Sequence, residues 1–239
     1  VIIPANYLHS FVAAPLLLIF AIQSARSYSQ THNQVGLLLG LGSFWYFLCV
    51  LFYGFPAVLS MNTQMLTWFT VAAAICEFLG GMFFWVAVTR IYAAKNVYLR
   101  RAIIISTVLV VLVGSVLAFR DVLAIPVKII QEGGEYLIYS PVSREYSILI
   151  AIQYLSCIFL SVAFWRQSNT AQFLRDKFRL RILAVTLGVA GVVLGLLPFT
   201  QGGTGVLTKN QSIQLSVAFL FLALFLAITL FIKPRQQSK

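Results

Sequence analysis

Hydrophobic residues in this chain run in long continuous blocks, and the polar residues gather in the gaps between them. Seven blocks can be drawn, at about Leu8–Ser27, Val35–Leu59, Leu66–Arg90, Ala102–Phe119, Tyr146–Trp165, Ile182–Phe199 and Ile213–Ile232. A helix needs roughly 20 such residues to cross a hydrocarbon core about 30 Å thick, and the blocks approach or exceed that length. A transmembrane barrel would instead show alternating segments of roughly 10 residues, and none occur. The pattern therefore predicts an all-α membrane protein, a single seven-transmembrane helix bundle over residues 1–239. Most gaps are short, so consecutive helices are expected to be antiparallel neighbours.

Two gaps are distinctive. Between the fourth and fifth blocks, IPVKIIQEGGEYLIYSPV reads as a β-hairpin over about 125–142, with VKII and YLIY flanking Gly133–Gly134. It is expected to act as a lid, a ligand-facing flap or a partner-docking edge. Between the fifth and sixth, RQSNTAQFLRDKFRLR forms a basic loop over about 166–181. Here Arg175, Lys177, Arg179 and Arg181 alternate with Phe173, Leu174, Phe178 and Leu180. Such a segment suits anionic headgroups or a partner at the membrane surface.

Composition supports the membrane reading: 60% of residues are hydrophobic and 10% charged, against about 25% charged in ordinary soluble chains. The net charge of +11 is no sign of nucleic-acid binding, because the basic residues sit at the ends of apolar blocks. Arg26, Arg90, Lys95, Arg100, Arg101, Arg166, Arg175, Lys177, Arg179, Arg181, Lys233, Arg235 and Lys239 fall on one side, and only Arg120, Lys128, Arg144 and Lys209 on the other. The positive-inside rule then puts the N-terminus outside and the C-terminus in the cytoplasm. A bacterial or archaeal plasma membrane fits that asymmetry best.

Candidate chemistry centres on Glu77, the one acid deep inside an apolar block. A carboxylate at that depth costs on the order of 2.5–3.5 kcal/mol on insertion scales, which makes it a functional candidate by default. It is read either as a protonated acid bonded to a neighbouring helix, or as a proton carrier, an ion ligand or a ligand-sensing group. Tyr46 and Ser43 on the second span, and Gln153, Tyr154 and Ser156 on the fifth, lie at compatible depth. Trp45, Tyr46 and Phe78 are candidates for lining a pocket, or for filling the bundle interior. Gly80, Gly81, Gly188, Gly191 and Gly195 are expected at close helix contacts, since small residues let helices approach in lipid.

Cys49, Cys76 and Cys157 all fall inside apolar blocks, as small core residues do. His9 and His32 belong on opposite membrane faces, so neither a haem pair nor a metal cluster is expected. No HExxH, Walker loop, GxGxxG or catalytic triad occurs, and no enzyme activity is expected. The seventh block, SIQLSVAFLFLALFLAITLFI, has no lysine to carry retinal as a Schiff base.

In layout, with short loops, an enlarged fourth connection and a basic exit FIKPRQQSK, the chain resembles the seven-span sensory regions that precede bacterial histidine kinases and diguanylate cyclases. That resemblance implies a sensor or receptor-like module, binding a ligand or partner at its outer half and signalling by helix rearrangement. Such modules continue into a cytoplasmic output domain, whereas this sequence stops seven residues after Ile232. The implied partner is therefore a missing output domain or a separate protein. The alternatives are a non-catalytic accessory subunit of a larger membrane complex and a small proton-coupled transporter using Glu77.

Overall fold

The computed structural model describes residues 10–59, 62–125, 127–132, 135–139 and 143–200. In chain order these form α1 (Ser10–Thr31), α2 (Gln34–Leu59), α3 (Thr63–Tyr92), α4 (Val97–Ala124), β1 (Lys128–Glu132), β2 (Glu135–Tyr139), α5 (Arg144–Thr170) and α6 (Leu174–Thr200). The expected seventh span, the Gly133–Gly134 turn and His9 lie outside the described residues. Five of the helices, α2 to α6, are long and apolar enough to cross a membrane. α1 is not among them, because its second half, QSARSYSQT, is polar.

The helices outrun the apolar blocks because polar caps, rather than hydrophobicity, set their ends. Asn62 Oδ1 accepts the Gln64 amide at 2.9 Å and starts α3. Asn96 Oδ1 accepts the Leu99 amide at 3.0 Å and starts α4. Ser143 Oγ accepts from Tyr146 at 3.3 Å at the start of α5. Each side chain satisfies an amide that the first helical turn would leave unpaired.

The basic connection is shorter than the sequence pattern predicts. α5 continues to Thr170 and α6 begins at Leu174, leaving only residues 171–173 between them. Most of the expected loop over 166–181 is thus helical. Leu, Lys and Arg favour helix, and Asp176 in the first turn of α6 complements the helix dipole. Arg175 is exposed, while Lys177, Arg179 and Arg181 are half-buried. The Arg181 guanidinium sits over the Trp165 ring, 5.3 Å from its centroid, joining the two helix ends.

α3 is the inner helix. It packs against α2, α4 and α5, while α1 lies on α2 and α6 on α5. Within the most apolar window of each helix, 56% of α3 is buried but only 17% of α4. α4 turns Ile105, Leu109, Leu112 and Val116 outward, each more than half exposed. An apolar face of that extent is costly in water and ordinary in lipid.

Glycines set the closest approaches. A side chain at Gly42 would strike the Phe84 ring, one at Gly80 would come within 2.9 Å of Tyr46, and one at Gly81 within 2.5 Å of Gln153. α3 and α5 are also tied by hydrogen bonds to helix carbonyls. Trp85 Nε1 donates to Ile152 at 3.1 Å and Tyr92 Oη to Phe159 at 3.0 Å.

β1 and β2 pair antiparallel, with Lys128 opposite Tyr139 and Glu132 opposite Glu135. Beside this ladder the buried Asp121 joins α4 to α5. Its Oδ1 accepts from Arg120 Nε and Nη2 at 3.0 and 2.8 Å, and its Oδ2 accepts the Ser143 amide at 2.9 Å. Leu66, Val71, Val122 and Val127 form a small apolar cluster at the same end. That is the hairpin end of the bundle. The opposite end gathers the α1–α2 turn, where His32 has φ 51°, with the C-terminal ends of α3 and α5.

Candidate functional site

The site builds outward from α3. At its midpoint the half-buried Glu77 accepts a hydrogen bond through Oε1 from the Tyr154 hydroxyl of α5, at 2.8 Å. Tyr154 is buried, and its ring stacks on Tyr46 of α2 at 5.9 Å between centroids. Tyr46 in turn meets Phe84 at 5.4 Å and fits over Gly80. Three helices therefore converge on one carboxyl. They converge there because Gly80 and Gly81 follow Glu77 by about one turn and leave room for Tyr46 and Gln153.

Gln153 is fully buried, and neither its Nε2 nor its Oε1 has a hydrogen-bond partner. The buried hydroxyl of Tyr46 is unpartnered as well. A buried polar group without a partner costs about 1–3 kcal/mol in protein mutational data. Two such groups one helix apart are a concentration of unused hydrogen-bonding capacity beside an acid.

The structure sorts the sequence candidates. Glu77, Tyr154 and Tyr46 come together directly, and Gln153 lies beside them against Gly81. Trp45 does not join them. It packs on the Cys49, Ala73 and Cys76 cluster, because successive residues of a helix point about 100° apart. Ser156 is fully buried but donates to the Gln153 carbonyl at 2.6 Å, within its own helix. Ser43 is buried on α2. Phe78 reaches α4, where it fills the space left by Gly114, and packs edge-on against Tyr146.

On α6, Gly191 lies against Ile158 and the Tyr154 carbonyl, and Gly188 against Ser161. Gly195 has more room, its nearest neighbour being Tyr154 Cβ at 3.5 Å from a side chain placed there. All three face α5 of the same chain.

Two residues of the site are absent from the sequence reading. Tyr146 on α5 also interacts with Glu77, and Tyr53 on α2 interacts with Tyr146. The signal was present: Tyr146 and Tyr154 are eight residues apart on one helix, and Tyr46 and Tyr53 seven apart on another. Both spacings return a side chain to the same helical face. Tyrosine hydroxyls thus run from the hairpin end down to the carboxyl at mid-bundle. Among the described residues no three His, Cys, Asp or Glu side chains come together, and all three cysteines are free and buried.

No known protein family matches the chain, and neither does any curated protein. What the helices and their outward apolar faces define is a class: a multi-pass membrane protein with an acid–tyrosine cluster inside its bundle.

Proposed function

We propose that this chain is a sensor-like membrane module in which the Glu77 cluster couples an event at the hairpin end to the packing of α3 against α5. The observation that carries this reading is the Tyr154–Glu77 hydrogen bond, made beside the unpartnered Tyr46 hydroxyl and Gln153 amide. A carboxyl accepts hydrogen bonds when ionised, and donates one when protonated. Gaining a proton or meeting a ligand therefore changes which of its neighbours it holds. The groups that face it are Cys49 and Tyr46 on α2 and Tyr146 and Tyr154 on α5. A second arrangement, in which Gln153 or Tyr46 gains a partner, would give the bundle two states of similar energy, as signalling by helix rearrangement requires.

In this reading the hairpin end faces outward and the basic end faces the cytoplasm, following the distribution of Lys and Arg. A change at Glu77 would pass along α5 and across the three-residue connection to α6.

The test is a pair of spin labels at the exposed Lys95 and Asn169, read by pulsed electron resonance on the full chain in nanodiscs while pH is varied. The distance distribution is expected to shift with pH in the wild type and to stay fixed in Glu77→Gln. One distribution at every pH, unchanged by Glu77→Gln, would refute the proposal. The tyrosine row favours a second reading, a proton-coupled carrier. Proton flux into liposomes that Glu77→Gln abolishes would favour it.

A further inference from the structure

At the basic end of the bundle, a cleft of about 480 Å³ opens between the α1–α2 turn and the C-terminal ends of α3 and α5. Its apolar lining is Val35, Ile91, Ala163 and the buried Phe164, and its polar rim is Asn33, Tyr92, Arg166 and Gln167. Arg166 makes no ion pair among the described residues. Asn33 spends only its Oδ1, capping α2 by accepting the Val35 and Gly36 amides at 3.1 and 3.2 Å. Apart from Asn33 in the α1–α2 turn, the residues that line the cleft belong to helices. The Tyr92 hydroxyl is anchored to the Phe159 carbonyl, one turn before Ala163.

We infer that this cleft binds one anionic phospholipid, its phosphate on Arg166 and the Asn33 and Gln167 amides, and an acyl chain along Val35, Ile91, Ala163 and Phe164. Three observations point to this occupant. The cleft lies at one end of the membrane-length helices, the level at which a bilayer spanned by them would place its headgroups. It joins an apolar wall to a cationic rim, which is the shape of an amphiphile rather than of a free ion or a sugar. Its surroundings are strongly basic: of the chain's six acids only Asp176 lies at this end, against Arg26, Arg90, Lys95, Arg100, Arg101 and Arg166. Guanidinium also pairs with phosphate through two parallel hydrogen bonds, which lysine cannot match. The site is distinct from the basic stretch Arg175–Arg181 on α6 and independent of the role proposed for Glu77.

The experiment is native mass spectrometry of the detergent-purified full chain, titrated with phosphatidylglycerol or phosphatidylcholine. The wild type is expected to hold one phosphatidylglycerol more tightly than any phosphatidylcholine. Arg166→Gln is expected to weaken phosphatidylglycerol about five-fold, the effect of one basic residue near a membrane surface. It is expected to leave phosphatidylcholine unchanged. Arg175→Gln, outside the cleft, is expected to leave tight binding intact. Ala163→Phe, which fills the apolar wall, is expected to weaken both lipids while circular dichroism shows the helices unchanged. Equal losses from Arg166→Gln and Arg175→Gln would reduce the effect to general surface charge and overturn the site. Displacement of the lipid by millimolar inorganic phosphate would make the ligand a soluble anion and overturn the lipid assignment.

Discussion

Replacing Gly114 by Ala tests the packing that holds the candidate site in place. A methyl group at Gly114 would lie 2.6 Å or less from three ring atoms of Phe78, where real contacts are not found below 3.0 Å. Phe78 is fully buried and packs edge-on against Tyr146, at 5.5 Å between centroids, so it has little room to retreat. Restoring an ordinary carbon–carbon contact requires the ring to move by roughly 1 Å, and overpacking of that kind costs about 1–3 kcal/mol. Helix propensity acts in the opposite sense, since Ala is favoured over Gly by about 1 kcal/mol. Gly195→Ala supplies the correction: it receives the same propensity gain, but its new methyl would meet nothing closer than 3.5 Å. The difference between the two variants isolates the steric term, expected at about 1–3 kcal/mol against Gly114→Ala. The assay is reversible unfolding of the full chain by titration with sodium dodecyl sulfate in mixed micelles, followed by circular dichroism. Adding Phe78→Leu to Gly114→Ala should recover part of the loss. Equal stability of Gly114→Ala and Gly195→Ala would refute the close approach of α4 to α3.

Four further outcomes are expected. In a double-mutant cycle of Glu77→Gln and Tyr154→Phe, the coupling energy should be about 0.6 kcal/mol and no more than about 1.7, the range for hydrogen bonds between membrane helices; a coupling of zero would mean the 2.8 Å contact contributes nothing. Asp121→Ala should cost about 1–3 kcal/mol, because it leaves the Ser143 amide unpaired, and should speed hydrogen exchange at the start of α5. Glu145→Gln should leave stability in the same detergent titration unchanged, since its contact with Arg120 is long and exposed. A photoreactive lipid should label Ile105, Leu109, Leu112 and Val116 on α4 and spare Phe78 and Leu160, which are fully buried; the reverse pattern would turn the bundle inside out.

Hydropathy alone decides the class of this protein. Backbone groups in hydrocarbon must pair within their own segment, so a block of apolar residues of membrane length has few options other than helix. That is why α2 to α6 are legible in the sequence before any contact is known. The ends were less legible, because Asn62, Asn96 and Ser143 extend α3, α4 and α5 through hydrogen bonds that carry no hydropathy signal.

Glu77 stands out by its cost, and Tyr46, Gln153 and Tyr154 by their depth, but depth does not say which way a side chain faces. Trp45 and Tyr46 are adjacent in sequence and part company in space, one towards Cys49 and Cys76, the other towards Tyr154. Gly114 looks like any glycine in an apolar run until Phe78 is placed against it. In lipid an apolar residue gains nothing from facing one way rather than another, so the sequence pattern leaves helix rotation open. Rotation is decided by close packing at glycines and by the few polar groups that must find one another. Both are properties of pairs of helices, and they exist only once the helices have met.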